Sequence, residues 1–285
     1  MSHYFLKSMT PIDNDILSFY AQSSEDSRLK TGLGPLEFYR NKLLITRYLT
    51  RQNMDVADVG GGTGHYAAWL SGLGHNVVLI DPVPKHITLA QKRVKKKDGG
   101  YTCQLAEARN LPIADHTKDL VILHGPLYHL QHRADRIKAL QEARRIVKPS
   151  GVVIGFAISH AASTFAALQA GLIHNDEVFD MCIEELRTGK HHPTTSIIGM
   201  MPKAFFHHPV SFEEEFTEAG FVINELLAVE GIGWLSGSFF SDWADPKKRE
   251  RLLELIEFTQ ADRNLLSLSP HIMLAARPGL ECGSF

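Results

Sequence analysis

Asp58, Gly60, Gly61, Gly62 and Gly64 stand together in the stretch VADVGGGTGHYAAWL, Val56 to Leu70. A glycine loop between a short apolar run and a helical pattern brings backbone N–H groups close to a ligand. A Walker A loop would need a Lys followed by Ser or Thr to neutralise phosphate. No Lys or Arg occurs from Asp55 to Pro84. A dinucleotide fingerprint spaced GxGxxG would put its third glycine, counted from Gly60, on His65. An acidic residue ahead of the loop disfavours pyrophosphate and favours a ligand with an ammonium group. The next apolar run, VVLID, ends on Asp81, where a carboxylate accepts both ribose hydroxyls. The ligand these residues describe is a nucleoside with a cationic tail and no phosphate, and S-adenosylmethionine has that chemistry. The competing reading is a tight turn whose glycines only let helix and sheet meet.

The elements that must carry this loop alternate. MDVADV reads as a buried strand and HYAAWLSGLG as a helix with small residues on its packing side. NVVLID, YTCQLA and KDLVILHG read as strands. PKHITLAQKRVKKK reads as a helix with a basic outer face, and RADRIKALQEARRIV as a helix placing Ile137, Leu140, Arg144 and Val147 at helical spacing. KPSGVVIGFAI reads as a turn into a fifth strand. Upstream, GPLEFYRNKLLITRYL predicts a helix with Pro35 in its first turn and Leu36, Tyr39, Leu43 and Leu44 on one stripe. Strands alternating with helices argue a parallel sheet covered on both faces. The rhythm breaks over 159–209, with two amphipathic helical patterns and the apolar loop SIIGMMPKAFFHHP. It resumes with the helix SFEEEFTEAG and the strands FVINELLAVE and HIMLAARP. The division read from this pattern is an N-terminal helical cover (1–50), a cofactor-binding core (51–158), a helical cap insertion (159–209) and the C-terminal part of the sheet with an inserted helix (210–285). The cap is read either as a mobile lid or as plain structural packing.

The chain has 285 residues, 44% hydrophobic and 22% charged, so it can bury a core and is globular rather than disordered. A net charge of −2 gives no global bias toward nucleic acid or anionic membranes. Three separated cysteines form no CxxC pair, which argues against a disulfide framework and for a reducing compartment. The N-terminus lacks a basic start followed by an apolar stretch. GVVIGFAI falls short of the ~20 residues of a membrane helix. A soluble, cytoplasmic protein without membrane contact is expected.

In order and spacing, these segments resemble the class I S-adenosylmethionine-dependent methyltransferases (type 11-like) from about Met54 to Ile158. The last two strands suit the same family. AEARNLPIADHTKDLVIL is similar to the family's adenine segment and fourth strand, and EARRIVKPSGVVI to its helix, turn and fifth strand. HGPLYHL is similar to a bacterial subgroup of small-molecule-type enzymes. The resemblance implies a Rossmann-like, seven-stranded, mostly parallel sheet with an antiparallel last strand. It also implies ligands at the carboxyl ends of the strands, which is the general rule for open α/β sheets. It places Glu107, where the family more often has Asp, against the adenine amino group. Ala108 offers its N–H to the ring, with Pro82 and Ala106 adjoining. His124, ending the fourth strand, falls beside the methionine part of the cofactor.

Tyr128 and His129 follow by one turn and are the candidates to face the acceptor; the rival reading makes both structural. Methyl transfer is an in-line displacement served by alignment and exclusion of water, so no catalytic triad is required. Arg40, on the helix expected to cover the cofactor, is the candidate donor to its carboxylate. The alternative is a solvated Arg on a helix face. Tyr20 is a candidate at the same edge. His191–His192 and His207–His208 suggest a metal, but adjacent histidines diverge and no carboxylate has ligand spacing, so none is expected. KRVKKK reads as a solvated helix face. Phe165, Leu168, Met200, Met201, Phe205 and Phe206, with WLSGSFFSDW, suggest a closed, partly aromatic acceptor pocket, or ordinary packing. A small-molecule acceptor methylated on oxygen or nitrogen is the leading expectation. The rivals are a tRNA wobble-uridine carboxyl methyltransferase and a non-catalytic cofactor-binding module.

Overall fold

The computed structural model describes residues 14–22, 25–94, 100–195, 197 and 200–279. Three helices, α1 (Asn14–Gln22), α2 (Glu25–Arg28) and α3 (Gly34–Thr46), precede β1 (Asp55–Val59). Then follow α4 (His65–Gly72), β2 (Asn76–Asp81), α5 (Pro84–Val94), β3 (Thr102–Leu105), β4 (Lys118–Leu123), α6 (Pro126–His129), α7 (Arg133–Ile146) and β5 (Val147–Ile158). The insertion holds α8 (Ala162–Gln169), α9 (Asp176–Thr188) and the small ladder of β6 (Lys190–His191) with β7 (Ala204–Phe205). The chain closes with α10 (Pro209–Glu218), β8 (Phe221–Ala228), α11 (Phe239–Ala244), α12 (Pro246–Thr259) and β9 (His271–Pro278).

The main sheet has seven strands in the order β3-β2-β1-β4-β5-β9-β8, and β9 is antiparallel to both its neighbours. This is the expected Rossmann-like sheet. Its central strands are buried on both faces, which is why Val56, Ala57 and Val59 of β1 are all apolar and buried. Val56, Val77, Leu79 and Ile122 pack under α3, α4 and α5. Ala57, Val59, Val121 and Leu123 pack under α7 and α10. The chain leaves β1 toward β2 and β3, then returns to β4 on the other side. The crevice at the carboxyl ends of β1 and β4 is therefore the topological switch point, where open α/β sheets bind ligands.

Three readings change. The buried face of α3 holds Leu36, Glu37, Arg40, Asn41 and Leu44, while Tyr39 and Leu43 are exposed. Three polar residues hold that face because each finds a partner: Arg28 for Glu37, Gln260 for Arg40 and Tyr66 for Asn41. The KPSG segment continues an extended strand: β5 begins at Val147, opposite Lys118, and the ladder absorbs the irregularity between Lys118 and Leu120. The apolar insertion residues pack among themselves and their neighbours: Phe165 joins Trp234 and Phe239, Met200 joins Val178 and Met181, and Met201 joins Ile158 and Phe206. Leu168 is exposed. Of the KRVKKK run, the last three lysines lie outside the described residues. Among the described residues no helix is long and apolar enough to cross a membrane.

Candidate active site

A cavity of about 410 Å³ opens at the switch point, with α1 contributing Ile16 and Tyr20 to its wall. Gly60, Gly61 and Gly62 line it. Gly60 has φ +76, and a Cβ there would collide with the His124 carbonyl, so only glycine lets the β1 loop meet the end of β4. Gly64 does not line the cavity. It starts α4 at φ +85, and a Cβ would strike the Tyr101 hydroxyl, so its part is to seat the helix.

Asp81 closes β2 with a buried carboxylate. Oδ2 accepts from the Gly62 N–H at 2.9 Å, and Oδ1 accepts from the Val83 N–H at 2.9 Å. His86 Nδ1 lies 3.0 Å from Oδ1, and an ionised carboxylate is acceptor-only, so that nitrogen carries the proton. Asp81 thus fixes the glycine loop and also lines the cavity. Pro82, Ala106, Glu107 and Ala108 continue the wall. Glu107 accepts from Arg109 Nε at 2.7 Å, and Arg109 also reaches Asp135 at 2.9 Å.

Asp58 is fully buried beneath the loop and off the cavity wall, so its carboxylate does not stand where an ammonium group would touch it directly. A Cβ on Gly61 would fall 2.7 Å from its Oδ2. His124 lines the cavity with its ring stacked between Tyr66 and Phe156, both at 4.2 Å. Helix α6 is set by Gly125, at φ +106, and by Pro126 in its first turn, which explains the HGP of the motif. This turn places Tyr128 and His129 on the wall. His129 Nε2 is 2.8 Å from the Tyr20 hydroxyl, and burial pushes the ring's pKa down to about 4, so it is neutral at neutral pH.

Arg40 is corrected. It does not line the cavity; Nε donates to the Val229 carbonyl at 3.0 Å and Nη2 to Gln260 Oε1 at 2.7 Å. Burial lowers its pKa to about 10, which still leaves it charged. Arg40→Ala is expected to cost ~1.5–3 kcal/mol for each charged hydrogen bond lost. Chemical denaturation should report that loss, and cofactor affinity should not change.

The guanidinium on the wall beside α3 is Arg28, which clasps Glu37 at 2.6 and 3.0 Å. Burial alone would raise Glu37, but Arg28 and the charge of His271 outweigh it and hold the carboxyl at about 2. Burial opposes the protonated form of His271, yet Glu230 and Glu37 raise its pKa above the ordinary value. Arg28, Glu37 and His271 are charged or titratable wall residues among those that the sequence reading missed. His271 had one signal, the expected antiparallel sense of β9, which brings its first residue to the ligand edge; Arg28 and Glu37 had none in the local sequence. Glu37, Glu230 and His271 hold potential ligand atoms within 4.8 Å of one another, and Arg28 is the cation already placed on Glu37.

The paired histidines diverge. His191 meets Glu185, His192 meets Glu184, His207 meets Glu215, and His208 accepts from the Val210 N–H at the start of α10. Among the described residues, neither the apolar insertion residues nor the aromatic residues of WLSGSFFSDW line the cavity, to which the insertion contributes Lys203. Of the two readings of these residues, packing is the one that Phe165, Met200, Met201, Phe206, Trp234 and Phe239 follow.

Residues 57–155, β1 to β5, match the family model of a methyltransferase domain. An uncharacterised methyltransferase, YodH, of Bacillus subtilis is 28% identical over 40% of this chain and 48% of its own length. The ubiquinone/menaquinone biosynthesis C-methyltransferase UbiE of Idiomarina loihiensis is 30% identical over 36% and 42%. The tRNA 5-carboxymethoxyuridine methyltransferase of Escherichia coli K12 is 28% identical over 42% and 49%. The chain thus spans half or less of the length of these relatives. Among solved structures, the PH0226 protein of Pyrococcus horikoshii superposes with a TM-score of 0.60 at 16% identity, covering 92% of this chain and 98% of that one. The N-methyltransferase NodS of Bradyrhizobium japonicum, in complex with S-adenosyl-L-homocysteine, gives 0.57 at 14% identity, covering 93% and 99%. The fold is shared with solved S-adenosylmethionine-dependent methyltransferases, and the methyltransferase-domain match over 57–155 implies S-adenosylmethionine as the cofactor.

Proposed function

We propose that the chain is an S-adenosylmethionine-dependent methyltransferase acting on oxygen or nitrogen of a small-molecule acceptor. One observation carries the reading: the cavity at the switch point is walled by the glycine loop and the Asp81 carboxylate and flanked by α1. The residues present fit the cofactor. Three successive glycines give a wall with no side chains, and Gly62, at φ +56, has open space where a Cβ would stand. Asp81 would hold the ribose hydroxyls, with Glu107, Ala108, Pro82 and Ala106 around the adenine. Arg28 takes over from Arg40 as the donor suited to the carboxylate. When bound, the cofactor supplies an electrophilic methyl group on a sulfonium.

The chain's own part is alignment and exclusion of water. Tyr20 hydrogen-bonds to His129, joining α1 to α6 along the cavity wall. His129, neutral and engaged, is a poor general base at neutral pH, since efficient bases titrate near the working pH. Its role, with Tyr128, is to shape the acceptor's place.

The E. coli relative keeps tRNA as the second reading, and a binding module without transfer as the third. Tritiated S-adenosylmethionine offered with a metabolite extract or with bulk tRNA distinguishes them. Label is expected in the small-molecule fraction. Label in tRNA alone would shift the acceptor to nucleic acid, and binding without any transfer would leave the module.

A further inference from the structure

His271 is an imidazole fixed on one side and open on the other. It begins β9, opposite Ile158 at the carboxyl end of β5, and it lines the cavity. Its Nδ1 lies 2.7 Å from Oε1 of Glu230, whose side chain is 1% exposed. Glu230 is itself held: Oε2 accepts from the His271 backbone N–H at 2.9 Å and lies 3.1 Å from the Ser269 hydroxyl. An ionised carboxylate is acceptor-only, so Nδ1 carries a proton. The other ring nitrogen, Nε2, has no protein partner among the described residues and is open to solvent, in a side chain 23% exposed. The imidazoles of the HGPLYHL turn do not offer this. Both ring nitrogens of His124 are buried, and His129 has Nδ1 buried and Nε2 engaged by Tyr20.

Its place in the sheet favours the acceptor over the nucleoside. Asp81 ends β2, and Ala106, Glu107 and Ala108 follow β3, so the ribose and adenine contacts stand over one half of the sheet. β5 and β9 lie across β1 and β4 from them, and these two strands give Phe156 and His271 to the wall. The charged groups facing His271 are Glu230, Glu37 of α3 and Arg28 of α2; Phe156 and Ile158 of β5 carry no charge. Glu37 is clasped by Arg28, which leaves Glu230 as the direct partner of the ring. Burial and Arg28 lower the pKa of His271, but Glu230 and Glu37 outweigh them and raise it above the ordinary value. A ring that titrates there suits proton transfer near neutral pH, whereas His129, at about 4, does not.

We propose that His271 Nε2 takes the proton of the methyl acceptor's nucleophile, and that Glu230 is the positioning residue holding Nδ1–H. This rests on the methyltransferase reading and narrows its substrate class to a protic group, a hydroxyl or a neutral amine, that loses a proton as it is methylated. The acceptor's O–H or N–H proton passes to Nε2. A lone pair on that oxygen or nitrogen forms the new bond to carbon, and the carbon–sulfur bond breaks with its electron pair on sulfur, discharging the sulfonium. The imidazolium, paired with Glu230, then returns its proton to water.

Nuclear magnetic resonance of the whole chain with isotope-labelled histidine reads the pair, with S-adenosylhomocysteine as the probe ligand. Transfer from tritiated S-adenosylmethionine into a metabolite extract reads the base. Neutral His271 is expected as the Nδ1–H tautomer with Nε2 bare. In E230Q its titration midpoint should fall by about one unit or more, as expected when an opposite charge this close is removed. A neutral Nε2–H tautomer in the wild-type chain, or the same midpoint in both proteins, would overturn the pair. H271Q should bind S-adenosylhomocysteine as the wild-type chain does and transfer label ~10²–10⁴-fold more slowly, the contribution of a general base. Unchanged transfer would refute the base, and lost S-adenosylhomocysteine affinity would place His271 on the cofactor instead. Only the neutral ring accepts a proton, so wild-type transfer should slow as pH falls through the His271 midpoint, and E230Q should move that limb to lower pH. If either variant fails to fold, the wild-type tautomer and pH profile decide. A wild-type chain that does not bind S-adenosylhomocysteine, or binds it without any transfer, would instead overturn the methyltransferase reading, and the tautomer would show whether the pair exists without it.

Discussion

Asp81→Ala is expected to lower affinity for S-adenosylmethionine at least tenfold in a protein that still folds. The direct loss is of charge-assisted hydrogen bonds to the ribose, ~1.5–3 kcal/mol each, and a tenfold change corresponds to about 1.4 kcal/mol. An indirect loss adds to it. The Asp81 carboxylate also holds the Gly62 N–H, so the substitution frees the loop that forms the cofactor's cradle. Asp81→Asn isolates the two effects, because an amide oxygen can keep one backbone contact while the charge is gone. Titration calorimetry on all three proteins reads the result. Wild-type affinity in folded Asp81→Ala would mean that Asp81 only terminates its strand.

Arg136→Ala is expected to destabilise the fold by about 3–5 kcal/mol, the cost of leaving one partner of a buried ion pair uncompensated. The Arg136 and Glu215 side chains are each 2% exposed. Arg136 meets Glu215 through Nε and Nη2, and its Nη1 holds the carbonyls of Leu130 and Gln131 at 2.9 Å. The guanidinium also lies over the Phe205 ring at 3.7 Å. One side chain thus ties α7 to α10, to the β6–β7 ladder and to the segment after α6 that lines the cavity. The midpoint of urea unfolding should drop accordingly.

The pH dependence follows from the same pair. Burial alone would raise Glu215, but His207 and Arg136 outweigh it and hold the carboxyl at about 2, below its ordinary 4.5. A depressed carboxylate stabilises the fold fully above the unfolded value. That stability is lost as pH falls from about 4.5 toward 2. Arg136→Ala should flatten this part of the acid-unfolding curve. An unshifted urea midpoint together with an unchanged acid limb would show that the pair contributes little.

What could be read in the sequence was local and ordered. The glycine loop and Asp81 fall on adjacent strands in the βα rhythm, so motif and topology point to the same edge of the sheet. Gly60 and Gly62 were legible because the ligand's approach and the left-handed backbone both demand glycine there. Helix α3 shows the limit. Its period was legible but its phase was not, because the partners that make Arg40 and Asn41 inward residues are Val229, Gln260 and Tyr66, supplied by other elements. Arg28 and Glu37 escaped notice for the same reason. Their site exists only once α2, α3 and β9 meet at the cavity. The residues of 159–209 were rightly read as apolar, but apolarity alone does not tell a pocket lining from a packing face. The environment of His129 was equally hidden: its Tyr20 partner comes from a helix far upstream, and the burial that neutralises it is tertiary.

The central claim is that a glycine loop without a phosphate-binding cation, with Asp81 beside it, selects a sulfonium nucleoside. Titration calorimetry of the whole chain against S-adenosylmethionine, S-adenosylhomocysteine, NAD and ATP tests it most directly. Micromolar-range binding of the first two, with none of NAD or ATP at similar concentration, is the expected result. Tight binding of NAD and none of S-adenosylmethionine would contradict it.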